Sequence, residues 1–226
     1  MPLDIANTNA LCTLAEAESL LGLTASTTID ERVKRMILAV SDHIERVCGR
    51  KFKREAITGE KFAGYGTPVL YVARPPIDTA ATIAIKFDGT AIGTDEYVVE
   101  DADDGRIYRA GGLAWTAPYV AGAKYAQLPG HEERIWTADY TGGYRLPNIP
   151  SGDRDLPFLI ENVALQAVVT MYRGAARDQS ISSERLLSWN ASYRGAYFGM
   201  GNIDFDGVLT RAQRESLAPW TRAVQA

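Results

Sequence analysis

Residues 135–150 read IWTADYTGGYRLPNIP, and residues 156–172 read LPFLIENVALQAVVTMY. The first stretch alternates like a strand, with Trp136, Ala138 and Tyr140 on one face and Ile135, Thr137 and Asp139 on the other. It then runs into Gly142-Gly143 and two prolines, residues suited to a chain that changes direction. The second stretch is almost continuously apolar. Asn162, Gln166, Thr170 and Arg173 make one narrow polar row at helical spacing, so the pattern predicts a helix covered on most of its sides. The double glycine therefore marks the end of a β module and the return of the chain to a helical layer.

The helical layer also begins before that module. Thr13-Leu-Ala-Glu16 has the spacing of a capping box and opens a short helix that Gly22 stops. Thr28-Ile-Asp-Glu31 has the same spacing and predicts the start of a longer helix that ends at Gly49. Ile29, Val33, Ile37, Val40, Ile44 and Val47 recur along it at three- and four-residue steps and form one buried stripe. Glu31–Arg35 and Asp42–Arg46 stand four apart, acid first, as on an exposed face. Between these helices, strand-like pieces appear at 69–73, 82–87, 97–100, 106–108 and 134–140. Arg74-Pro75-Pro76, Asp88-Gly89 and Asp104-Gly105 supply turn chemistry between them. A last short helix is predicted from Thr210, with Gln213 three residues on and a stop near Pro219.

These readings predict an α+β fold, a helical bundle of N- and C-terminal helices with an inserted antiparallel β module. The expected parts are residues 11–50 with 155–190 as the helical core, 52–145 as the β module with a long loop at 110–132, and 191–226 as a C-terminal tail with a short helix. The formal net charge of -4 over 226 residues excludes a polycation that holds nucleic acid by bulk charge. Cys12 and Cys48 form no CxxC pair and are expected as free thiols of a reducing compartment. No signal peptide is visible at the N-terminus. Glu161, Asn162, Gln166 and Thr170 interrupt the apolar helix, so no membrane span is expected and a soluble protein made in the cytoplasm is.

Catalytic vocabulary is sparse. His43 sits on the row Met36–Val40–His43–Val47 and reads as a core-edge residue, while His131 falls in the long Gly/Ala/Pro loop; neither belongs to a ligand set. DADDG at 101–105 departs from a calcium loop, with Gly105 at the fifth position and Gly112 at the twelfth. GAYFGMG at 195–201 lacks the Lys-Ser/Thr of a phosphate loop. No GxSxG elbow and no carboxylate pair appears. No cofactor or metal is expected. Two sets suit contacts instead. Arg50, Lys51, Lys53 and Arg54 leave the long helix as a basic run, a candidate contact for DNA phosphates or an acidic partner and otherwise a solvated edge. Trp189, Tyr193, Tyr197, Phe198 and Phe205 dot a Ser/Gly-rich segment that orders on a partner or packs on its own surface.

The order of these elements resembles that of the head–tail connector, or adaptor, proteins of long-tailed bacteriophages, related prophages and gene-transfer particles. The likeness rests on LAEAESLLGL at 14–23, the junction Gly49-Arg50-Lys51-Phe52, the strand end Tyr140-Thr141-Gly142-Gly143-Tyr144 and the packing helix after it. It implies a virion protein at the head–tail interface, with copies closing into a ring, twelvefold by that likeness, beneath the portal. The ring would extend the DNA channel and dock the stopper or tail-completion protein. DNA would pass its lumen without sequence-specific binding, which the acidic balance suits. The aromatic set would meet the portal. The competing readings are another neck protein such as the stopper, and a hydrolase or binding enzyme with an acid-only site in the β module.

Overall fold

A computed structural model of the chain describes residues 4–6, 8–24, 26–62, 66–115, 136–149, 154–175, 183–186, 189–192 and 208–221. The fold is mixed α+β, as read from the sequence. It begins with α1 (Leu14–Leu21) and α2 (Thr27–Cys48). Seven strands follow: β1 (Glu55–Phe62), β2 (Val69–Tyr71), β3 (Ala84–Phe87), β4 (Thr90–Ala91), β5 (Tyr97–Asp101), β6 (Arg106–Arg109) and β7 (Trp136–Gly142). Then come α3 (Phe158–Ala175), the antiparallel ribbon of β8 (Ser183–Leu186) and β9 (Trp189–Ser192), and α4 (Arg211–Leu217). The chain divides into two compact units, residues 1–50 with 145–226 and residues 51–144.

In the helical unit α2 packs on α3, α1 touches both, and α4 leans on α3. The expected stripe holds, since Val33, Ile37, Val40 and Ile44 are fully buried. Each such aliphatic side chain contributes on the order of 2 kcal/mol by leaving water. Both predicted glycine stops are left-handed caps, Gly22 and Gly49 each at φ 65°. Thr13 and Glu16 form the predicted capping box on α1, as do Thr210 and Gln213 on α4. The start of α2 differs from the expected Thr28–Glu31 box. Ser26 is the N-cap residue, and its N–H donates to Asp30 Oδ1 at 2.9 Å, so an acid four residues on closes the end instead. The segment before α1 is pinned to the bundle: Leu11 N–H donates to Ser41 Oγ at 3.0 Å, and Asn148 Nδ2 donates to Cys12 O at 2.6 Å.

The β unit holds two antiparallel sheets, ordered β1-β7-β3-β4 and β2-β6-β5. Their shared core includes Phe62, Leu70, Val72, Ile85, Ile107, Trp115, Trp136 and Tyr140. β7 is central to the first sheet, and its residues alternate buried and half-buried as its sequence predicts. β1 is absent from the sequence reading. It is an edge strand whose residues are largely exposed, and it is broken by a bulge between Ile57 and Glu60 where Gly59 takes φ 68°. With only Ile57 and Phe62 of the strand turned to the core and a bulge between them, no regular alternation is left to read.

Gly142-Gly143 is the place where three pieces of backbone meet. On one side the chain entering the unit runs beside the chain leaving it. Tyr144 N–H donates to Phe52 O at 2.7 Å, and Arg54 N–H donates to Tyr144 O at 2.8 Å. On the other side lies the 74–78 turn, where Gly143 N–H donates to Pro76 O at 2.9 Å and Asp78 N–H to Thr141 O at 2.8 Å. A Cβ on Gly142 would fall on the Arg74 carbonyl oxygen, and one on Gly143 would lie 2.6 Å from Lys53 O. Gly143 also has φ 100°, which L-residues avoid. Gly143→Ala is therefore expected to lower unfolding stability by about 3 kcal/mol, read as a drop in thermal midpoint. Gly174→Ala is the control: it meets nothing within 4 Å. That change should stay within about 1 kcal/mol and lean towards stabilisation.

Candidate interaction surfaces

The basic run of 50–54 leads into the clasp just described, and Arg54 takes part in it. Arg50 closes the helical unit, half-buried after Gly49. Lys51 is exposed and Phe52 fully buried, its ring tilted against Tyr144 at 6.3 Å. Lys53 Nζ stands 3.6 Å from Glu55 Oε1. Arg54 donates from Nε to Gly143 O at 3.0 Å and reaches Asp78 Oδ2 at 3.3 Å through Nη1. Lys53 and Arg54 thus have acidic partners within their own unit.

Of the aromatic set, Trp189 opens β9. Tyr193, Tyr197, Phe198 and Phe205 lie outside the described residues, as do His131, residues 116–132 of the long loop and the glycine-rich 195–201 stretch. The start of that loop is described. Ala110–Gly112 makes one 3-10 turn, Leu113 is exposed, and Trp115 turns inward. There the Trp115 indole stands edge-on to Trp136 at 5.0 Å and donates from Nε1 to Pro68 O at 2.9 Å. The Arg109 guanidinium covers both rings.

Besides Leu20 and Leu113, apolar exposure among the described residues gathers in two places the sequence pattern does not single out. At the first turn of α3, Phe158 is 73% exposed and Leu159 is 41% exposed. In the β unit the outer face of the second sheet carries Val69, Tyr108 and Val98 in one cross-strand row, with Tyr71 beside them. Arg106 Nε meets Glu100 Oε2 at 3.1 Å on the same face. Large exposed apolar side chains on an otherwise well-packed protein mark surfaces that meet something.

The ionisable groups among the described residues are held by burial and by ion pairs. Cys12 and Cys48 are free and buried, and burial pushes their thiols up to about 12 and about 11. Thiols held in that range supply almost no thiolate near neutrality. His43 is half-buried on α2. Among the described residues no group of three or more His, Cys, Asp or Glu side chains is placed to hold a metal ion. Among them, too, no helix is long and apolar enough to cross a membrane. The 101–105 stretch is a tight turn, closed by Asp104 N–H donating to Asp101 Oδ1 at 3.0 Å.

Glu161 is the acid that sequence reading passed over as a mere interruption of the apolar helix. It is buried, and Arg154 Nη1 stands 2.8 Å from both its Oε1 and that of Glu16. One guanidinium cannot neutralise two carboxylates. Desolvation, and then the Glu16 charge, push the Glu161 carboxyl up to about 7, while bonds from Thr13 and Arg154 hold Glu16 below its ordinary value.

No family model matches the chain, and no curated protein does. Among solved structures, one chain described as part of the neck of an empty GTA (gene transfer agent) particle, computed with C6 symmetry, is similar. The alignment covers 100% of this chain and 97% of that one, with a TM-score of 0.51 and 15% identity. The two chains share a fold.

The Glu161 pair has a definite pH signature. A carboxyl whose folded value lies above its unfolded value of 4.5 keeps its proton longer in the folded state. Its contribution is therefore full below pH 4.5 and lost as pH rises to about 7. Glu161→Gln cannot ionise. Its stability relative to wild type should rise by roughly 2 kcal/mol across that window, measured by denaturant melts in a pH series. Glu16 has the opposite sign, stabilising above its unfolded value and losing that contribution as pH falls.

Proposed function

We propose that the chain is a structural neck protein of a phage-like particle, acting as a head–tail connector (adaptor). In this reading its copies close into a ring below the portal, extend the DNA channel and dock the stopper or tail-completion protein. The observation that carries the reading is the end-to-end likeness to a neck chain, which leaves almost no part of either chain unmatched. The C6 symmetry of that neck agrees with a ring of six or of twelve copies, and twelve is the number the sequence resemblance implies.

The physical inventory supports a role without catalysis. Both thiols are buried, and Glu161 is held against Arg154 and Glu16 between two helices. The sequence itself offers few histidines. The helical unit suits a ring scaffold, because a closed ring requires two different patches of one subunit to meet. Phe158 and Leu159 are the exposed apolar groups that α3 offers to such a contact. Trp189, Tyr193, Tyr197, Phe198 and Phe205 are assigned to the portal. Lys51, the exposed member of the basic run, is assigned to DNA or an acidic partner.

Electron microscopy of the purified protein, alone and mixed with the portal of its own particle, tests the reading. Rings in either sample, seated coaxially on the portal in the mixture, are expected. A protein that stays monomeric and leaves the portal bare would overturn it. Phe158→Ser should leave the monomer's thermal midpoint unchanged, since the side chain is 73% exposed, yet reduce ring yield several-fold by particle counting. Undiminished rings would remove Phe158 from the contact.

A further inference from the structure

The second sheet ends on one side at β5, and hydrogen-bond phase fixes which way that strand's main chain points. Arg109 N–H donates to Pro68 O at 2.8 Å and Val72 N–H donates to Gly105 O at 3.0 Å, so Gly105, Ile107 and Arg109 turn their main-chain groups towards β2. Ala110 N–H donates to Glu96 O at 2.8 Å, which turns the alternate residues of β6 towards β5 and pairs Tyr108 with Val98. The N–H and C=O groups of Tyr97 and Val99 consequently point out of the sheet. Among the described residues they have no main-chain partner. Tyr97 and Val99 are half-buried, and Val98 between them is 54% exposed on the outer face of the sheet. Its far end is closed, because Ile77 N–H donates to Ala102 O at 2.8 Å.

The charge along the edge has one sign. Asp95 and Glu96 precede the strand, Glu100 and Asp101 lie in it, and Asp103 and Asp104 follow it. Arg106 offsets Glu100 at 3.1 Å, and Arg109 stands 4.0 Å from Glu96. β5 itself contributes no cation. A second copy arriving by the same edge would set acid against acid, an unfavourable pairing. An arriving strand rich in Lys or Arg meets the opposite situation.

We propose that the β5 edge is a docking site for an extended Lys/Arg-rich segment of a partner protein, which adds as a fourth strand to the β2-β6-β5 sheet. Main-chain bonds to Tyr97 and Val99 supply the pairing. Basic side chains on the sheet's outer face lie along Val98 by their aliphatic stems and reach Glu100 and the acids of the 101–104 turn. The proposal stands whether or not the neck reading holds.

The probe is the peptide acetyl-Lys-Val-Lys-Val-Lys-Val-Lys-amide, titrated into the isotopically labelled full chain at low salt. Slowed exchange of the Tyr97 and Val99 amides is expected on binding. About tenfold weaker binding is expected when the peptide's edge-facing nitrogens are methylated, and likewise when its lysines are replaced by glutamates. Glu100→Lys combined with Asp103→Lys, two exposed positions, should weaken binding by a similar factor with the thermal midpoint unchanged. Equal binding of the methylated peptide would reduce the site to bulk charge and overturn the proposal. So would protection at other amides alone, no binding, or self-association of the free chain through β5.

Discussion

The close approach of three backbone segments around Gly142 and Gly143 is the constraint on which the β unit depends. Residues 52–54 press from one side and 74–78 from the other, and the strand leaving the unit passes between them with no room for a Cβ. Because β7 is an interior strand of its sheet, fixing the chain at its C-terminal end fixes the register of β1 and β3 on either flank. The clasp also explains why the basic run is where it is. Arg54 satisfies the Gly143 carbonyl and neutralises Asp78, so its charge serves the closure of the unit. A run that looks like a phosphate-binding edge in sequence is, at two of its positions, the internal fastening of a fold.

What could be read in advance follows from how local each determinant is. Capping boxes and left-handed glycine stops are set by residues three or four apart, and Thr13–Glu16, Thr210–Gln213, Gly22 and Gly49 all appear as their spacing predicts. The α2 stripe and the β7 alternation are equally local, because a face buried along its whole length prints its period into the sequence. β1 could not be read, since an edge strand broken by the Gly59 bulge has little burial to impose a pattern. The β8–β9 ribbon falls in a polar, Ser-rich stretch at the end of the 155–190 segment expected to be helical and the start of the tail, with no apolar period to mark it. Phe158 and Leu159 continue the apolar run in sequence yet face water, while Ile160 and Glu161 of the same turn are buried, so the apolar run does not show which side of that turn is covered.

Glu161 shows the reverse case, a polar residue whose placement decides more than its type suggests. Sequence alone counts it as a break in an apolar helix. In the folded chain it lies against Arg154 and Glu16, tying the first turn of α3 to the capping box of α1. Buried charge of this kind adds little net stability, since desolvation offsets most of the attraction. Its better-supported use is geometric, because two carboxylates about one guanidinium admit few arrangements of the helices that carry them. An acid pair that an enzyme reading would claim is thus accounted for as the hinge point of a bundle, with burial and a shared cation in place of a cleft.

The two units offer partners different physics. The helical unit presents Phe158 and Leu159, groups whose burial is favourable at any ionic strength and suits a contact made once and kept. The β unit presents an open strand edge with acidic flanks, where attraction depends on salt and on the sign of the arriving chain. A contact of the first kind serves permanent assembly. One of the second kind serves selection, because main-chain pairing is indifferent to sequence and the acids alone decide which strand is admitted. The apolar contact proposed for the helical unit and the strand contact proposed for the β unit therefore differ in what they admit, the first any complementary apolar face and the second only a basic strand.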